Sequence, residues 1–144
     1  MRAIVQRVNH ATLSVDGKEI SHISRGFMVL LGISCTDTEQ DAKYIAEKLP
    51  KLRIYDDDQG KMNLSLLDIG GEILIVSNFT LYAETKGTNR PSFCKAANAT
   101  QAQPLYNLVV DLLKQKLPTK TGVFHEHMHI DMQADGPVTI VMDS

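Results

Sequence analysis

Residues 73 to 84, ILIVSNFTLYAE, constrain the fold more than any other stretch. Four branched apolar residues in a row, Ile73 to Val76, describe a strand buried on both faces, and such a strand needs cover from two sides. Ser77, Asn78 and Thr80 then follow in the same run. Each polar group buried without a partner costs about 1 to 3 kcal/mol, so these three either meet structural partners or belong to a site. On a continued strand, Ser77, Phe79 and Leu81 share one face and Asn78 and Thr80 the other. A ligand there would meet hydroxyls and strand-end amides.

The flanking sequence supplies the cover. RAIVQRV (2–8) and ATLSV (11–15) read as two short strands, and Asp16-Gly17 is a strong hairpin signal leading into KEISHIS. FMVLLGIS (27–34) is a continuous apolar strand. Thr36 and Glu39 have capping-box spacing, and Ala42, Ile45, Ala46 and Leu49 recur at helical intervals, predicting an amphipathic helix that ends near Pro50. LRIY resumes extended structure before DDDQGKMN, a turn by composition. Counted as a calcium loop from Asp56, that turn has Lys61 where a glycine is required, which excludes an EF-hand. Leu105, Leu108, Val109 and Leu112 predict a second helix, with Pro104 in its first turn and Pro118 beyond its end. TGVFHEHMHIDMQADGPVTIVMD reads as two or three strands. The expected class is α+β: largely antiparallel sheets forming a barrel-like sandwich, with two helices on one side.

With 144 residues, 43% hydrophobic and 22% charged, residues 1–144 suit one domain with its own core. No apolar stretch approaches the roughly 18 residues that span a bilayer, and MRAIVQRVNH is strand-like, unlike a signal peptide. Cys35 and Cys94 form no CxxC pair and read as free, half-buried thiols of a reducing compartment, so a cytoplasmic protein is expected. A formal net charge of −2 and a pI near 6.2 argue against a grip on long DNA or RNA backbones. Lys86, Arg90 and Lys95 cluster after the opening stretch, as in a solvated loop or a local nucleic-acid contact.

The usual catalytic motifs are missing. His125, His127 and His129 alternate, so on a strand they share one face with Asp131, opposite Met128, Ile130 and Met132 as a core side. A zinc or copper site is conceivable there, but catalytic zinc usually draws ligands from more than one element; a solvated or interface face is the default, and no metal is assigned. The sequence has no G-x-S-x-G elbow, no base assignable to Ser77 or Cys94, no G-x-G-x-x-G and no P-loop, so no cofactor is assigned either. Asp135-Gly136-Pro137 precedes a terminal strand. It is either an ordinary turn or a place where bare carbonyl oxygens meet a ligand.

SNFTL (77–81), RPSF (90–93), TGVF with Met128, and DGPVT (135–139), together with AIVQRV, LLGI, the GKMN turn and Gly70-Gly71, resemble the D-aminoacyl-tRNA deacylase family over essentially the whole chain. The resemblance implies a cytoplasmic homodimer whose substrate is D-aminoacyl-tRNA, met at its 3′ terminal adenosine and D-amino acid. The ester is hydrolysed as a proofreading step, which extends to achiral glycine. It implies that Ser77, Asn78, Phe79, Thr80 and Leu81 line the pocket. It also implies that Gly136 and Pro137, joined by a cis bond, reach into the partner's pocket, turn their carbonyls to the substrate ammonium and exclude L side chains. Amides near Phe79 and Thr80 would form an oxyanion hole. On this reading Thr80 would position the ester, with RNA assistance and no covalent intermediate, while Phe124 would pack on adenine and Arg7 would brace the Gly-Pro turn.

Two positions depart from the family pattern. Asn78 stands where the family has Gln, one methylene longer, and Ala134 where it has Asn; the histidine face is also not a family feature. Two other readings follow from the residues: a non-catalytic dimeric module that holds an aminoacyl-tRNA end, and a metal-binding protein built on His125, His127 and His129.

Overall fold

The computed structural model describes residues 1–87 and 89–144. Strand β1 (Arg2–Val15) turns through Asp16 and Gly17 into β2 (Lys18–Ile23). Both turn residues have positive φ, +50° and +75°, the two-residue hairpin that matches strand twist. There follow β3 (Gly26–Gly32), α1 (Glu39–Lys48), β4 (Tyr55–Asp56), β5 (Met62–Leu64), β6 (Glu72–Ser77), α2 (Ala99–Lys114), β7 (Thr119–Thr121) and β8 (His129–Asp143). Short 3-10 turns span Leu49–Lys51 and Phe79–Tyr82.

β1 pairs antiparallel with β2 and β3 along one edge and with β8 along the other. β3, β6 and β7 then run parallel. The antiparallel start is as expected, whereas the parallel centre is not visible in the local sequence. It accounts for the helices, because parallel neighbours need long crossovers and α1 and α2 lie in those crossovers. The Ser21 hydroxyl of β2 donates to the Thr121 carbonyl of β7 at 2.6 Å, tying the ends of a nearly closed mixed barrel.

β6 shows why its sequence is apolar throughout. Ile73 and Ile75 face a core shared with α1 and α2, including Ile45, Val109 and Leu113. Leu74 and Val76 face a second core inside the barrel with Val8, Leu13, Ile23 and Met28. Each such buried side chain contributes about 1.5 to 3 kcal/mol.

Several local expectations shift. The first two strands are one, β1, because β8 continues to pair through His10, opposite Gln133. Gln6 faces Thr139 but Val8 faces Ala134, so the intervening residues 135–138 bulge out of β8. The last third therefore holds two strands, and the Gly-Pro segment lies within the second. The α1 cap is Thr38 with Asp41, not Thr36 with Glu39: Asp41 Oδ2 accepts from the Thr38 amide at 2.8 Å, while Thr36 bonds Ser34. α2 begins at Ala99, capped by Asn98, so Pro104 lies past the first turn. It is exposed, and the carbonyl it leaves unbonded can take water. The buried stripe is Ala102, Tyr106, Val109, Val110 and Leu113, with Leu105, Leu108 and Leu112 partly buried beside it. Both cysteines are exposed, not half-buried. Among the described residues, no helix is long and apolar enough to cross a membrane.

Hydrogen bonds from Ser144 and from the Thr38 amide and hydroxyl hold the Asp41 carboxyl down at about 2, against an ordinary 3.8. A carboxyl depressed in the folded state stabilises above its unfolded value and loses that contribution as pH falls through the folded value. Asp41→Asn should therefore lower stability by a constant amount above about pH 5 and by progressively less between about pH 4 and 2, as read by chemical denaturation at each pH. A gap that persists at pH 2 would count against this capping network.

Candidate active site

β6 stops at Ser77 because the chain turns there. The Asn78 amide still donates to the Leu31 carbonyl at 2.8 Å, one step beyond the strand. Asn78 Oδ1 then accepts from the Thr80 amide at 3.1 Å and, over a shorter contact, from the Thr80 hydroxyl. Asn78 is thus the N-cap of the Phe79–Tyr82 turn, a role in which Asn is among the best residues. The two-face alternation expected for Ser77 to Leu81 is replaced by this turn. Gly32 permits it, since a Cβ there would lie 2.9 Å from Leu81 Cβ. Leu81 consequently packs over β3 and does not line the cavity.

A cavity of about 600 Å³ opens at this point. Its floor is Ser77, Asn78, Phe79 and Thr80; one wall is the start of α2 at Asn98, and another is the 124–128 loop. Phe124 is held between Tyr106, at 5.9 Å between ring centroids, and His125, at 4.9 Å. Tyr106 is itself anchored by donating to the Ile75 carbonyl at 2.8 Å, and burial pushes its phenol up. The wall is therefore fixed from β6 through α2.

The floor's polar groups are assigned by their partners. A backbone N–H bonded to Oδ1 fixes the Asn78 amide orientation, so its Nδ2 is the end the cap does not use. Phe79 is the first residue of its turn, where the helix offers no acceptor for its N–H. The Thr80 N–H, by contrast, is used by the cap. Of these two amides, the Phe79 N–H is the one the cap does not use.

The histidines do not form a strand face. His125 lies in a turn with φ +69°, and β8 begins only at His129. His125 and His127 line the cavity, while His127 and His129 make an edge contact at 5.0 Å. Met132, expected on a core side, is 49% exposed. Among the described residues no three His, Cys, Asp or Glu side chains converge as a metal set.

Gly136, Pro137 and Arg7 are outside the cavity lining. The Gly136–Pro137 bond is cis, and Gly136 has φ +113°, where a Cβ would lie 2.8 Å from Val138. Arg7, 7% exposed, donates to the Ile54 carbonyl at 2.6 Å and lies over the Tyr55 ring. Its Nε is 2.9 Å from Asp135 Oδ2, though off the N–H direction, so the pair is a charge contact more than a hydrogen bond. Gln6 Nε2 donates to the Val138 carbonyl at 3.1 Å and its Oε1 accepts from Thr139. Gln6 and Asp135 escape sequence reading because their partners are over 120 residues away. Asn98 carries a readable signal: it precedes an apolar-periodic run.

A family model described as D-Tyr-tRNA(Tyr) deacylase matches residues 4–143. The chain belongs to this deacylase family. Relatives named D-aminoacyl-tRNA deacylase include one from Bacillus velezensis, 50% identical over 145 residues and covering 100% of this chain and 99% of the relative. Another, from Caldicellulosiruptor bescii, is 48% identical over 100% and 97%. Among solved structures, one titled c-Myc DNA unwinding element binding protein matches with a TM-score of 0.94 at 41% identity, over 100% and 99% of the two chains. A probable eukaryotic D-amino acid tRNA deacylase matches at 0.83 and 18% identity, over 99% and 98%, which is a likeness of fold.

The Asn78 cap has a direct test within this deacylase family member. Asn78→Ala should cost about 1 kcal/mol in chemical denaturation, and Asn78→Ser, which keeps a capping oxygen, markedly less. Equal losses for both would show that the cap bond is not what Asn78 contributes to stability.

Proposed function

We propose that this chain hydrolyses the ester of D-aminoacyl-tRNA, releasing the D-amino acid and tRNA, with residues 1–144 acting as one domain in a cytoplasmic homodimer. The supporting observation is the floor itself: a capped turn at a strand end offers a neutral N–H donor and an amide. The Thr80 hydroxyl donates a hydrogen bond to Asn78 Oδ1, and an amide oxygen is too weak a base to activate it. Thr80 therefore helps hold the turn that positions the ester.

In this mechanism the Phe79 N–H stabilises charge on the ester carbonyl, where one well-placed donor contributes on the order of 10²-fold or more. Water attacks with help from the ribose 2′-hydroxyl. Phe124, held by Tyr106, packs on adenine, and Asn78 Nδ2 shapes the pocket edge.

Chiral selection comes from Gly136 and Pro137 of the second protomer. Their exposed turn is braced by Arg7, Asp135 and Gln6 and stands outside its own protomer's cavity, which suits delivery in trans. Its carbonyls accept the substrate ammonium and leave no room for an L side chain. The DNA association in one neighbour's title does not suit a chain of net charge −2.

D-Tyr-tRNA should be hydrolysed at least about a hundred-fold faster than L-Tyr-tRNA, with no change on adding chelator. Thr80→Val should stay within about ten-fold of the parent protein, and denaturing mass spectrometry should find no acyl adduct. Absence of turnover would favour the non-catalytic module, and an acyl-enzyme on Thr80 would overturn the mechanism.

A further inference from the structure

We propose that Phe79 and Phe93 form a stacking ledge for the base of the nucleotide immediately 5′ of the terminal adenosine, a contact that rests on the activity proposed above. Phe79 is 55% exposed and Phe93 38%, and their rings meet edge to face at 5.1 Å and 73°. Phe79 lines the cavity and Phe93 does not, so the pair leads from the pocket outward. An edge-to-face pair leaves a ring face open, and large apolar groups exposed together mark interaction sites.

The ledge is held before any ligand arrives. Glu84 and Ser92 exchange backbone hydrogen bonds of 2.8 and 2.9 Å, closing the base of the intervening loop. The Ala96 amide donates to the Phe93 carbonyl at 3.0 Å, and the Cys35 amide to the Lys95 carbonyl at 3.0 Å. These bonds pin Phe93 to the end of β3. Between residues 84 and 95 the sequence has Lys86, Arg90 and Lys95 against one acid, Glu84. Lys95 Nζ pairs with Glu84 at 3.0 Å, but an exposed pair of this kind contributes little and can exchange for a phosphate.

Aromatic rings flanked by cations are how single-stranded nucleic acid is held without reading its sequence. A second copy of the chain is the other conceivable occupant beyond the cavity, but interface cores are depleted of charged residues, and Lys86, Arg90 and Lys95 fall in the same stretch of chain as Phe93. With the terminal adenosine in the cavity, the next base emerges at its mouth, over Phe93.

The test compares Phe93→Ala, Phe93→Leu and Phe93→Tyr on D-Tyr-tRNA and on 3′-O-(D-tyrosyl)adenosine, which lacks the second nucleotide. Phe93→Ala and Phe93→Leu should raise KM for the tRNA about ten-fold, leave the adenosine ester within two-fold, and Phe93→Tyr should restore tRNA use. If Phe93→Ala does not fold, the Leu and Tyr pair decides the matter. The ledge is wrong if both substrates suffer equally, if neither does, or if the Leu variant shifts the protein from dimer to monomer in sedimentation. If the parent protein cleaves neither ester, the activity reading fails instead.

Discussion

β6 is held on both faces and on both edges, and the rest of the structure follows from where that hold ends. Its alternate side chains enter two separate cores, and its neighbours β3 and β7 run parallel to it. A strand so constrained has no freedom until its last residue. At Asn78 the backbone spends one more hydrogen bond on Leu31 and then turns. The site is thus placed by the core.

The same logic applies to the Gly136–Pro137 turn. Residues 135–138 leave the β1–β8 ladder opposite Arg7 alone, and a buried arginine, a carboxylate and a glutamine hold the excursion from beneath. Both halves of the proposed site are local departures from a regular sheet, each supported by regular structure around it. Chiral discrimination by exclusion needs that stiffness, because a wall that yields excludes nothing.

The architecture was legible where burial dictates composition. Ile73 to Val76 announce a strand covered on two sides, Asp16-Gly17 the β1–β2 hairpin, and Ala42, Ile45, Ala46 and Leu49 a helix face that is buried as expected. The direction of pairing was not legible, because β3, β6 and β7 are parallel through crossovers that no local pattern specifies. Phe79-Thr80-Leu81 has strand-like composition, so the 3-10 turn was hidden. Its signal was Asn78 itself, a strong capping residue whose Oδ1 reaches the amide two residues along. The histidine alternation misled because a period of two has meaning only on a strand, and His125 is in a turn with left-handed backbone. Arg7, Gln6 and Asp135 meet across a fold, a relation that sequence spacing cannot express.

In the proposed mechanism a capped strand end holds the ester carbonyl while a second protomer holds the ammonium. The decisive measurement is a crystal structure of the protein with a non-hydrolysable 3′-amide analogue of D-tyrosyl-adenosine. The analogue's carbonyl oxygen should lie about 3 Å from the Phe79 amide nitrogen, with its ammonium on the Gly136 and Pro137 carbonyls of the other protomer. A carbonyl turned away from Phe79, or an ammonium held within the same protomer, would contradict it.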